Sequence, residues 1–335
     1  MTSRYQQAGV NIDAGTQAVH LMKAAVRSTF GPQVLSDMGA FGGLFDGSLL
    51  KTMEKPVLVA SMDGVGTKTK VAAQLNRWDT VGQDLVNHCI NDILVQGAQP
   101  LFFLDYVASS QLDPSQIAAI VGGMAQACRA AGCALLGGET AEMPGVYAPN
   151  EVDVVGTIIG VVDQNQLIDG HRIQAGDIIM NLPSTGLHTN GFSLARHVLA
   201  NVDWTNNHPD LGCSIGDALL AVHQCYLDPV KQLRQAGVDI RGLAHITGGG
   251  VIDNLPRILP PGLGATIQLG TWSIPPIFNL IQKLGDISIP ELYRVLNMGL
   301  GMLVVISSNQ RHLASDLTQV GEIVATHDGV KLEGA

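Results

Sequence analysis

The residues able to do chemistry concentrate between Val57 and Gly97. Asp63-Gly64-Val65-Gly66-Thr67-Lys68 sets a carboxylate, two glycines, a hydroxyl and a cation side by side. The glycines let the backbone approach a ligand closely, and the lysine answers negative charge. Further on, Asp84, Asn87, His88, Asn91 and Asp92 recur on one side of a segment whose other side carries Leu85, Val86, Cys89, Ile90, Ile93 and Leu94. Asp and Asn are poorer helix formers than the Lys, Glu, Arg and Gln of an ordinary solvated face. The face reads either as an exposed surface of costly composition or as the wall of a polar, metal-loaded site, and the residue types favour the wall.

These groups need elements to hold them. Val57 to Ala60 reads as a strand that breaks at Asp63, and Asp79-Thr80 as the N-cap of a helix running to Gln96, with Gly97 as its stop. Leu101 to Leu104 is a buried strand ending in Asp105-Tyr106. Asp113-Pro114 opens a helix with Ile117, Ile120, Val121, Met124 and Cys128 as its core stripe. Ala134 to Leu136, a short strand, runs into Gly137-Gly138-Glu139-Thr140-Ala141-Glu142-Met143-Pro144-Gly145, read as a loop that sets two carboxylates among glycines. Ahead of all these, Val19 to Val26 has helical spacing, and Gly39 to Phe45 is either a flap over a phosphate or an ordinary glycine-rich loop.

Val152 to Val162 is the last strong strand of this half, and the polar, turn-rich stretch Gln164 to Gly176 reads as a boundary between domains 1–165 and 166–335. The second half begins with a strand from Ile178 to Leu182. Its loop, Pro183-Ser184-Thr185-Gly186-Leu187-His188-Thr189-Asn190-Gly191, leads into a helix from Phe192, and Ala244-His245-Ile246-Thr247-Gly248-Gly249-Gly250 leads into a short helix from Val251. Both turns bring backbone amides to a helix start, where anions bind. Gly301 to Ile306 reads as a further strand.

Composition sets the outer bounds. A chain of 335 residues suggests about two domains, and 46% apolar with 4% aromatic residues and 39 glycines suggests α/β units rich in tight turns. A net charge of −10 with only 19 basic residues argues against a nucleic-acid or anionic-membrane surface. Five cysteines without a C-x-x-C pair argue against a disulfide framework or zinc site and for a reducing compartment. No basic-then-apolar leader and no membrane-length apolar run is seen, so a soluble, cytoplasmic protein is expected.

Three common readings fail on spacing. A P-loop needs glycines one and six places before its lysine, where this chain has Thr67 and Met62. No G-x-G-x-x-G follows the first strand, and no G-x-S-x-G elbow occurs. What remains is Asp63, Asp84, Asp92, Glu139 and Glu142, Lys68 and two amide-rich turns, an inventory that suits Mg²⁺, a nucleoside triphosphate and a phosphorylated substrate.

Asp63 to Lys68, Asn91-Asp92, Gly97-Ala98-Gln99-Pro100-Leu101-Phe102-Phe103-Leu104-Asp105-Tyr106 and Gly137 to Gly145 closely resemble the phosphoribosylformylglycinamidine cyclo-ligase (aminoimidazole ribonucleotide synthetase) family. Gly186 to Gly191 and His245 to Gly250 follow in the family's order, so the resemblance spans nearly the whole chain. It implies two α/β domains, and a homodimer whose N-terminal sheets complete a barrel across the interface. It also implies ATP- and Mg²⁺-dependent closure of formylglycinamidine ribonucleotide to 5-aminoimidazole ribonucleotide, with release of ADP and phosphate. Carried over by position, Asp63, Asp92 and Glu139 organise the metal, Lys68 offsets triphosphate charge and Asn91 orients a ligand. Gly64, Gly66, Thr67, Gly137, Gly138, Thr140, Glu142, Asn190 and Thr247, with Gly248, Gly249 and Gly250, complete the cofactor and phosphate contacts. His188 and His245 each stand either as proton shuttle or as a satisfied structural histidine.

The chain departs from the family in two places. Tyr5-Gln6-Gln7-Ala8-Gly9-Val10-Asn11 lacks the usual lysine and aspartate, and Met298 stands where some relatives have cysteine. A small-molecule kinase or selenophosphate synthetase of the same superfamily would share Asp63 and Asp92, but the latter wants a cysteine in the early glycine-rich loop, and Gly39 to Phe45 has none. A non-catalytic nucleotide-binding module would lack the acids that this chain keeps.

Overall fold

Alternating apolar residues make Val57 to Met62 a strand with two unlike faces, and the same period continues through Asp63 to Gly64. The computed structural model describes residues 4–334, without the side chains of Tyr5 and Gln6. The chain divides into two compact units, one made of residues up to 93 with 98–165, the other of residues 94–97 with those from 166 on.

The first unit is a four-stranded sheet of β1 (Pro56–Gly64), β2 (Gln99–Ser109), β3 (Ala134–Glu142) and β4 (Val152–Asp163), in the order β1-β4-β2-β3. β4 pairs antiparallel with both neighbours, while β3 runs parallel to β2 and is reached through a long crossover helix, Pro114–Ala130. This unit also holds the helices α1 (Ile12–Arg27), α2 (Lys68–Leu75) and α3 (Val81–Leu94), with a single turn at Arg4–Gln7 ahead of them. The crossover helix is α4. Gly156 and Gly160 of β4 leave room for Phe103 of β2 and Ile93 of α3, which stand where Cβ atoms would otherwise be. The sheet's other face is open: Leu58 and Met62 of β1 are 61% and 69% exposed, and Leu104 of β2 is exposed beside them.

One local expectation changes. Gly137 to Glu142 is not a loop but the second half of β3, hydrogen-bonded in parallel register to Leu104 through Ser109. Gly138 is needed there because Asp105 presses against the strand: a Cβ on it would lie 2.2 Å from Asp105 Oδ1. The helical stretch at Val19 to Val26 is the second half of the 16-residue α1. That helix is capped by Asn11, whose side-chain oxygen accepts the Ala14 amide at 3.3 Å, so the asparagine at the family's aspartate position caps equally well.

The second unit is a six-stranded sheet of β5 (Ile178–Pro183), β6 (Ile240–His245), β7 (Gly264–Gln268), β8 (Leu300–Ile306), β9 (Thr318–Val324) and β10 (Gly329–Glu333), in the order β10-β7-β9-β5-β8-β6. Every pairing is antiparallel except β10 with β7. β8 is apolar and buried along its whole length, and it packs with Met180, Leu182, Tyr226, Val230 and Leu243. Met298, on the turn before it, has left-handed backbone and is buried, its carbonyl accepting from Trp272 Nε1 at 2.9 Å. No described helix is long and apolar enough to cross a membrane.

Candidate functional site

Asp63 ends β1 and its Oδ2 lies 2.7 Å from His88 Nε2, while Asp92, one turn further along α3, lies 3.6 Å from the same nitrogen. Ser61 Oγ donates to Asp92 at 3.2 Å. Burial opposes a charge on His88, yet its hydrogen bond to Asp63 and the charges of Asp92, Asp63 and Asp84 outweigh burial and raise its pKa above the ordinary imidazole value. The repulsion expected between the two acids is thus answered by an imidazole set between them.

The rest of the α3 face is sealed. Asp84 and Asn91 are fully buried and His88 nearly so, with Asn87 and Asp92 half-buried, so the reading as a solvated face does not hold. Lys68, opening α2, is fully buried with its Nζ 2.7 Å from Asp84 Oδ2. Burial lowers its pKa, and Asp84 works the other way. Gly66 and Thr67, just before it, are exposed, and Gly66 has left-handed backbone that suits glycine.

Glu139 does not join Asp63 and Asp92 within one chain. The registers align Asp63 with Gly156, Asp105 and Gly138 in one row across β1, β4, β2 and β3. Three strand spacings of about 4.8 Å put Glu139 roughly 14 Å from Asp63, beyond the combined reach of the two side chains to one ion. Within one chain, then, Asp63 and Asp92 stand together and Glu139 stands apart from them.

Glu139 instead lines a cleft of about 550 Å³, together with Gly137, Gly138, Thr140, the Asp37–Gly43 loop and the apolar residues of α1. Glu142, at the end of β3, has both carboxylate oxygens engaged, one accepting the Asn11 amide and the other the Leu112 amide at 2.8 Å. It ties the start of α1 to the sheet.

In the second unit, the Pro183–Gly191 loop is held by Asn297. Its Oδ1 accepts from Ser184 Oγ and the Gly299 amide, both at 2.9 Å, and its Nδ2 donates to the Gly186 carbonyl at 2.8 Å. His188 sits here with left-handed backbone (φ 62°). The Thr185 amide donates to His188 Nε2 at 3.1 Å, which places the ring proton on Nδ1. His188 stacks on His223 at 4.0 Å, and His223 Nε2 is 3.0 Å from His245 Nε2, a spacing at which one ring donates and the other accepts. The three rings bring nitrogens within 4.8 Å of one another, and the His223–His245 contact can hold one proton between them.

Asn190 Oδ1 lies 3.1 Å from where a Gly248 side chain would be, so the two glycine turns touch. Asn254 Nδ2 donates to the Gly248 and Gly250 carbonyls at 3.1 and 2.8 Å, fixing the Thr247–Gly250 turn. The helices that follow, α5 (Phe192–Val198) and α6 (Gly250–Asn254), have seven and five residues, so amides of the turns rather than a helix dipole must supply any anion binding.

Residues 45–162 match the family described as AIR synthase related protein, N-terminal domain, and residues 174–332 its C-terminal domain. The chain belongs to this family. It is 52% identical over 302 residues to the phosphoribosylformylglycinamidine cyclo-ligase of Desulfitobacterium hafniense, covering 90% of this chain and 88% of that one. With the cyclo-ligase of Geobacillus kaustophilus it shares 50% identity, covering 92% and 89%. Two solved structures share the family fold at low identity. Thiamine-monophosphate kinase from Stenotrophomonas maltophilia superimposes with a TM-score of 0.69 at 18% identity, over 95% of this chain and 96% of that one. E. coli HypE, a hydrogenase maturation protein, gives 0.65 at 17%, over 96% and 93%.

The sequence reading left two groups without a role. His223 lies in no motif, and only the fold brings it against His245. Asp105 was visible only as an acid at a strand end, and its place in the cleft follows from the parallel register of β3.

Proposed function

We propose that this protein is an ATP-dependent cyclo-ligase that closes formylglycinamidine ribonucleotide to 5-aminoimidazole ribonucleotide, releasing ADP and phosphate. The observation that carries the reading is half identity to cyclo-ligases over nine-tenths of the chain, through both family domains. Transfer of the γ-phosphoryl group to the formyl amide oxygen makes that oxygen a leaving group. The amidine nitrogen then attacks the same carbon, the C–O bond breaks, and phosphate departs as the ring closes. Holding nitrogen and carbon in one bound conformer supplies much of the rate.

The first unit takes the nucleotide and the metal. Glycine amides of Gly39–Gly43 and Gly137–Gly138 rim a cleft of nucleotide size. Asp63 and Asp92 offer partly exposed, hard oxygens around a single nitrogen, a donor set that fits Mg²⁺, which would neutralise phosphate charge when bound. The second unit takes the substrate's phosphate on the Thr247–Gly250 turn, and the His223–His245 pair holds the proton released by the attacking nitrogen. Asn190 braces that turn.

A homodimer joined through the open face of the first unit's sheet accounts for the exposure of Leu58, Met62 and Leu104. A cytoplasmic location suits five cysteines that are all free. The test is incubation with ATP, Mg²⁺ and formylglycinamidine ribonucleotide, followed by assay for an aminoimidazole. ADP release should require that substrate, and equal turnover with thiamine monophosphate or selenide would overturn the reading.

A further inference from the structure

Asp105 is the acid that the cleft leaves without a counter-charge. It projects from β2 between Gly138 and the apolar floor formed by Met22, Val26, Val121 and Leu135, each less than a tenth exposed. Among the described residues no side chain donates to its carboxyl, and burial pushes its pKa up to about 7. Burial disfavours a charge here, so the part of a ligand beside it must be uncharged and carry its own hydrogen-bonding edge. The Gly39–Gly43 loop of the same cleft suits the phosphates instead.

We infer that Asp105 reads the nucleobase, meeting the exocyclic amino group and the adjacent ring nitrogen of adenine. The apolar floor receives the flat ring. One carboxyl oxygen accepts from the N6 amino group, and the protonated oxygen donates to N1. A purine without the amino group leaves the first of these oxygens unmatched, whereas guanine's O6 and N1–H meet the same carboxyl with donor and acceptor exchanged, so the contact distinguishes a substituted purine edge from a bare one. This assignment rests on the cleft being the nucleotide site of the proposed ligase.

The test compares ATP with purine riboside triphosphate, which lacks the amino group, in the full-length protein and in Asp105→Leu and Asp105→Asn. A site built around that amino group should lose about tenfold or more in kcat/KM when it is deleted. Asp105→Leu should raise the KM for ATP by a similar factor with little change in kcat, and should show no further loss with the purine analogue. Asp105→Asn, whose amide also donates and accepts, should keep the KM for ATP within about threefold.

An Asp105→Leu protein that loses the same factor on both nucleotides, or an Asp105→Asn protein whose KM rises more than tenfold, overturns the inference. The second outcome decides the matter even if the leucine variant fails to fold. Absence of any cyclisation by the unaltered protein would count against the ligase reading alone. In that event, the difference between ATP and purine riboside triphosphate in calorimetric binding, with and without Asp105→Asn, still tests Asp105.

Discussion

Lys68 Nζ and Asp84 Oδ2 form an ion pair at 2.7 Å with both side chains wholly out of water. The pair ties the first turn of α2 to α3, just after the exposed Gly66-Thr67 turn. Lys68 was expected to offset triphosphate charge, yet its charge is already answered inside the fold. Removing one partner strands the other, so Lys68→Met should cost about 3–5 kcal/mol, whereas Lys68→Met with Asp84→Leu should come back close to the parent. Denaturant titrations without nucleotide measure both. A double variant that is stable but has a greatly raised KM for ATP would return Lys68 to the phosphates.

His88 makes the metal-free protein sensitive to pH. Its folded-state pKa is raised, so the stability it contributes is fully present below the ordinary imidazole value of about 6.5 and is lost as pH rises through the higher folded value. Melting temperature should therefore fall as pH rises above about 6.5 in the parent, and this component should vanish in His88→Asn. A parallel fall in both proteins would assign the effect elsewhere.

Asp92→Asn tests the same cluster from its other side. Asp92 is partly exposed and helps to hold the imidazolium, so its neutralisation should lower metal-free stability by no more than about 1 kcal/mol. Turnover with saturating Mg²⁺ should collapse. Retained turnover in a protein that melts much lower would make the cluster structural.

Glu142→Gln replaces two acceptor oxygens by one acceptor and one donor, so either the Asn11 or the Leu112 amide loses its partner. The expected penalty is about 1–3 kcal/mol, confined to the start of α1 or the Leu112 turn. Hydrogen exchange should show faster exchange at Asn11 to Ala14 or at Leu112, with the sheet unchanged. Uniformly faster exchange over the first unit would contradict a local tie.

Met62→Asp sets a charge on the open sheet face, where the native side chain is 69% exposed. If that face is the dimer interface, sedimentation at micromolar concentration should show a dimer for the parent and a monomer for the variant, with little change in the monomer's own fold. A dimer in both would move the interface elsewhere.

The sequence was most readable where a single period dominates. The α3 stripe from Leu85 to Leu94 and the apolar run of β8 both form the expected elements. It was least readable at Gly137 to Glu142, because glycine has low strand propensity and nothing local reveals that β2 lies alongside to supply hydrogen bonds. Pairings of distant residues were invisible for the same reason. Lys68 with Asp84, Glu142 with Asn11, and His223 with His245 depend on where strands and helices meet, not on spacing along the chain.

The central place of β4 has a consequence for how the chain is made. β1 has no partner until β4 emerges from the ribosome about ninety residues later, and β2 gains its second neighbour only then. At roughly 5–20 residues per second, the Val57–Met62 strand spends several seconds of synthesis with an unpaired, apolar edge.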